Sequence, residues 1–113
     1  MAFARLVSSE LSNQMLKPDW EDNGFVRQFF ARNTIGQRPT YGPLLIISSD
    51  ADPVVRTGMT AQAVARMCKE RDMVQFHKYQ SAEFARVLGD SVRDQLTWIE
   101  ARFAGRPASS NCP

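Results

Sequence analysis

Histidine occurs once in this chain, at His77, and cysteine twice, at Cys68 and Cys112. One imidazole and two distant thiols make neither a zinc-type ligand set nor a C-x-x-C redox motif, so no metal and no cofactor is expected. No apolar run approaches the ~18 residues needed to cross a bilayer, so no membrane span is expected. Basic residues never cluster: 14 Lys and Arg are interspersed with 12 Asp and Glu for a net charge of +2. That balance lacks the footprint of a nucleic-acid binder and reads as a mixed solvated surface. There is no Gly-x-Ser-x-Gly elbow, no His-Gly-Gly segment and no internal repeat. The N-terminus, Met1-Ala-Phe-Ala-Arg-Leu-Val-Ser-Ser-Glu10, lacks the basic region and apolar block of a signal peptide. As written, the chain is expected in the cytoplasm, or as a piece of a longer precursor.

What remains is a globular composition, 43% hydrophobic and 23% charged over 113 residues. That is enough chain for one domain with a modest core. Residues 1–36 read as helix, break, helix. Phe3, Val7, Leu11 and Met15 form an apolar stripe that Lys17-Pro18 ends, because a residue before proline leaves helical geometry. Asp22 is placed to cap a second helix with Phe25, Val26, Phe29 and Phe30 on one side. Residues 37–43, rich in Gly and Pro, are a loop. Residues 44–105 read as β-α-β-α. Leu44–Ile47 has the continuous apolar character of a parallel strand buried on both faces. A helix follows with Val64, Met67 and Cys68 inward, then a mixed strand, Met73–Tyr79, suited to a sheet edge. Ser91-Val-Arg-Asp94 has the form of a capping box. Val92, Leu96, Ile99 and Phe103 then recur at helical spacing as an expected inner face, and Gly105 and Pro107 stop the helix. Residues 106–113 form a loose tail unless Cys112 is bonded. The fold class is α/β, with a minimal parallel sheet preceded by two helices.

The stretch Leu44-Leu-Ile-Ile-Ser-Ser-Asp-Ala-Asp-Pro-Val-Val55 runs an apolar strand into an acidic loop. It resembles the loop that carries the triad acid in α/β-hydrolases of the bacterial secretory-lipase and esterase type. Asp52-Pro-Val-Val55 matches the acid turn, with Arg56 where proline is common. After the second strand such enzymes read Tyr-Pro-Gly-Ala-Asp-His, whose His is the base; here Tyr79-Gln-Ser-Ala-Glu-Phe84 puts Phe84 at that place and Glu83 beside it. The resemblance spans nearly all of this chain but only the last part of such an enzyme. It implies a truncated α/β-hydrolase-like module and a carboxylic-ester hydrolase ancestry, with Asp52 at the acid position. It also implies a Cys68–Cys112 disulfide tying tail to helix, the alternative being a buried thiol at Cys68 and a free one at Cys112. Relatives of this type are often secreted.

A phenyl ring takes no proton from a serine, so the usual mechanism is closed at Phe84. An unconventional site would use Ser48 or Ser49 as nucleophile, His77 as base and Asp50 or Asp52 as orienter. The competing reading makes His77 a partly exposed strand residue and Asp52 a turn cap. Phe25, Phe29 and Phe30 are either part of an acyl-binding wall or a cover for the sheet. At most weak ester hydrolysis is expected from the chain alone; the other reading is a non-catalytic binding or oligomerisation module. A two-stranded sheet leaves edge and apolar helix surface uncovered, so a homo-oligomer, a dimer above all, or a complementary polypeptide is the expected partner.

Overall fold

The computed structural model describes residues 14–80 and 84–113, the side chains of residues 84 and 85 excepted. The expected first helix lies outside these apart from its last residues. So do Glu83 and the side chain of Phe84. The chain divides into two compact units, Met1–Thr34 and Ile35–Pro113.

In the first unit a short 3-10 turn, Trp20–Asp22, leads into helix α1, Gly24–Asn33. Its cap is Asn23, not the expected Asp22. Asn23 is extended, and its Oδ1 accepts from the N–H groups of Phe25 (3.0 Å) and Val26 (3.3 Å). Asp22 lies inside the preceding turn, where its carboxylate cannot reach back to those donors, and it pairs with Arg27 instead.

The second unit runs β1 (Leu44–Ser49), α2 (Thr57–Lys69), β2 (Val74–Tyr79), α3 (Phe84–Asp90) and α4 (Val92–Phe103). This is a small mixed α/β unit, with the expected strand and helix order plus one short extra helix. The strands pair in parallel with Leu44 opposite Val74 and Ser49 opposite Tyr79. Leu44 N–H donates to Met73 C=O (2.8 Å) and Asp50 N–H to Tyr79 C=O (3.0 Å). In a parallel ladder that phase turns the backbone groups of Leu44, Ile46 and Ser48 toward β2, and those of Leu45, Ile47 and Ser49 away from it.

Helix ends follow local chemistry. Past α4, Gly105 takes a left-handed φ of 71°. Arg106 N–H then reaches Ala101 C=O and Gly105 N–H reaches Arg102 C=O, the paired bonds of a Schellman stop. Past α2 the same pattern forms around Arg71 (φ 65°), with Asp72 N–H on Met67 C=O. Among the described residues the buried apolar set is small, Met67, Val74 and Val87, and Ser48, Ser49, Asp72 and Ser91 are buried as well. β1 is only half-buried along its apolar part, less than its sequence suggests.

Two expectations are corrected here. Ser91 does not close a capping box: it is itself helical in backbone, its Oγ accepts from Gln95 Nε2 (2.7 Å), and Asp94 bonds Tyr79. The inner face of α4 is Ser91, Gln95, Trp98 and Arg102, one position behind the expected stripe; Val92, Leu96, Ile99 and Phe103 are 44–90% exposed. The tail, expected to be loose unless Cys112 is bonded, is held. Cys112 is bonded to Cys68. Asn111 N–H and Ser110 Oγ–H donate to Val74 C=O, while the Asn111 side-chain amide bonds both Phe76 N–H and Phe76 C=O at 2.8 Å. One amide side chain thus completes the outer edge of β2 in place of a neighbouring strand.

Candidate functional site

The loop after β1 is built by Asp52. Its Oδ1 accepts from Val54 N–H (2.8 Å) and Val55 N–H (3.0 Å), folding the chain around Pro53 into an Asx turn. Its Oδ2 has no hydrogen-bond partner among the described residues. Thr57 Oγ–H donates to Ser49 C=O (2.6 Å), which docks the start of α2 against the end of β1. Along the open side of β1 this leaves a cleft of about 530 Å³ between α2 and the α3–α4 pair. Leu45, Ile47, Val55, Leu88 and Ile99 supply its apolar wall, and Asp52 stands at its end.

His77 is elsewhere. It lies opposite Ile47 on β2 and lines a second, adjoining groove of about 290 Å³ with Gln75, Asp94 and Arg102, the two grooves sharing Leu45 and Trp98. Its Nε2 bonds Gln75 Nε2 at 2.9 Å, and it makes no bond to Ser48, Ser49, Asp50 or Asp52. Ser49 shares a sheet face with His77 by parity but is only 1% exposed, and its Oγ accepts from Ala51 N–H. Ser48 is 7% exposed, on the other face, and approaches Thr57. Asp50 is exposed in the turn. The structure therefore brings Asp52 and the two serines to one cleft and puts the only imidazole in another. Phe25, Phe29 and Phe30 are largely exposed in the first unit, and only Phe30 lines the groove there, with Trp20, which faces it at 6.2 Å.

The cluster that sequence reading misses is Tyr79 with Asp94. The Tyr79 hydroxyl donates to the Asp94 carboxylate, joining the end of β2 to the first turn of α4. That bond, then burial, then the negative charges of Asp94 and Asp90 push the Tyr79 phenol from its ordinary 10.0 up to about 12. A raised folded-state value means that the protonated phenol favours the fold. The contribution is complete below pH 10 and is lost as pH rises through about 12. Tyrosinate absorbance in a pH titration should show one tyrosine ionising near 12 in the parent protein, moving toward 10 in Asp94→Ala. A parent protein in which every tyrosine titrates near 10 contradicts the assignment.

Asp72 is a second missed residue. Its buried carboxylate accepts from Thr40 N–H (2.7 Å) and Thr40 Oγ–H (3.1 Å), pinning the 37–43 loop to the start of β2. In sequence it is one more acid between a helix and a strand, with nothing to mark it. Compared with protein families, curated proteins and solved structures, the chain finds no match in any of the three.

Proposed function

We propose that this chain is an association module derived from the acid-bearing C-terminal part of a secretory-lipase-type esterase, with at most weak ester hydrolysis of its own. The observation that supports it is the separation of groups. Both strand serines are buried, and the only imidazole bonds Gln75 in the adjoining groove and neither serine. A nucleophile and its base must lie within hydrogen-bond reach of each other and of a substrate. The open cleft beside β1 favours a partner there, either a second copy or a complementary polypeptide. In the second case Asp52, with Oδ2 uncommitted at the end of that cleft, has the free oxygen needed to orient a partner's imidazole. The Cys68–Cys112 bond favours an oxidising compartment, in keeping with secreted relatives of that type.

The test is p-nitrophenyl ester turnover by highly purified protein beside Asp52→Ala, His77→Ala and Ser49→Ala. We expect rates near the buffer background and equal across all four proteins. A working general base contributes about 10²–10⁴-fold. A loss of that order in His77→Ala alone would overturn the reading.

A further inference from the structure

The two edges of the sheet are treated differently. The outer edge of β2 is occupied by Asn111 and Ser110, with charged Lys78 beyond them. The outer edge of β1 has neither device. The N–H and C=O groups of Leu45 and Ile47, two residues that line the cleft, face away from β2 and meet no partner among the described residues. No charge, bulge or proline interrupts the strand, although a soluble protein ordinarily blunts such an edge. The second uncovered feature lies beside it. Val92, Leu96, Ile99 and Phe103 follow one another at spacings of four, three and four, the seam by which one helix packs on another. Ile99 lines the cleft, so this seam runs along the β1 side of α4.

We propose that a second copy of this chain covers both features at once, with β1 pairing antiparallel to β1 of its partner across a two-fold axis normal to the sheet. An extended peptide would fill the cleft but leave most of the helix seam wet; a second copy brings a strand and a helix in matching positions. The two-fold lays α4 antiparallel to its mate, seam against seam. Val55 and Leu88, both about half exposed, add to the same side. The four seam side chains are 44–90% exposed, and with Val55, Leu88 and the strand edge they leave apolar surface of the order that specific interfaces cover, ~800 Å² per partner.

Backbone chemistry selects the register. With Leu45 opposite Ile47 of the mate, all four outward donors and all four outward acceptors at these positions are used, and the axis passes at Ile46. Sliding one way sets Ile47 opposite Pro43, which has no N–H. Sliding the other way sets Leu45 opposite Ser49, whose carbonyl already holds Thr57. Ile46 then faces its own mate in a non-hydrogen-bonded pair, where Cα atoms lie about 4.5 Å apart. That separation is within disulfide reach.

The inference deepens the associating half of the proposed function and is independent of the ester assay, which reads turnover rather than mass. Light scattering on the full chain at micromolar concentration should give twice 12.8 kDa. Leu96→Glu should return the mass to that of one chain, while Phe29→Ser, in the other unit, should leave the dimer intact. Ile46→Cys should form a covalent dimer under mild oxidation, and Lys78→Cys, on the sealed edge, should not. A parent protein of one-chain mass overturns the proposal, as does a dimer indifferent to Leu96→Glu. A dimer that Ile46→Cys fails to cross-link overturns the strand pairing.

Discussion

Replacing both Cys68 and Cys112 by serine should lower the unfolding free energy by about 4 kcal/mol, the chain-entropy value for a loop of this size. The bond spans 44 residues and encloses all of β2, α3 and α4, so its loss frees most of the second unit in the unfolded state. A domain of this length has roughly 5–15 kcal/mol in total. The loss therefore removes a large share of what holds it folded. It also has a local side. Asn111 sits next to the bridge, and an untethered tail would have to hold its place on Phe76 and Val74 by its own hydrogen bonds. Urea melts with and without dithiothreitol check both points. Reductant should move the midpoint of the parent protein to that of the double variant, and leave the double variant where it is. A parent midpoint unmoved by full reduction would show that the bridge contributes nothing.

Gly36→Ala should cost about 3 kcal/mol, a large value for a single added methyl group. Gly36 has a φ of +83°, where an L side chain is strained. A Cβ there would stand 2.9 Å from the Ala63 carbonyl oxygen, 3.1 Å from Met67 Cγ and 3.2 Å from Arg66 Cβ. The first is helix backbone and cannot swing aside, and Met67 belongs to the small buried core. The neighbouring contact, Arg66 Nε to Ile35 C=O at 3.0 Å, would open with it. At ~4–8 °C per kcal/mol for a small domain, melting should fall by more than 10 °C. Gly58→Ala is the control. Nothing lies within 4 Å of its added carbon, so inside α2 it should be neutral or stabilising by up to ~1 kcal/mol. Equal effects of the two substitutions would refute the account.

Much of this architecture is legible in the residues. Leu44–Ile47 reads as a strand because four consecutive aliphatic residues are too few for a helix and are bounded by proline and polar residues. Gly105 reads as a helix stop because the left-handed position favours glycine, and it occupies that position. The errors have an equally physical origin. Periodicity says that a helix has an apolar side but not what lies against it, and in α4 the sheet takes Ser91, Gln95 and Trp98 while the aliphatic seam faces out. Asn23 and Asp22 are both competent caps, and the 3-10 turn decides between them. The asparagine that helps the disulfide hold the tail is not marked in the sequence, because its partners are backbone groups some 35 residues away. As for the candidate site, Asp52 is found by its setting at a strand end, but the distance between His77 and the serines is a matter of sheet register and burial, which residue types alone do not encode.

The Asn111 amide on Phe76 has one more implication. Step-growth chemistry distinguishes monomers with two reactive ends, which make chains without limit, from those with one, which stop. A sheet open at both sides is of the first kind and would template filaments. With Asn111 seated, the pairing proposed above is of the second kind: it has an adhesive valence of one, and a single partner strand would end the reaction.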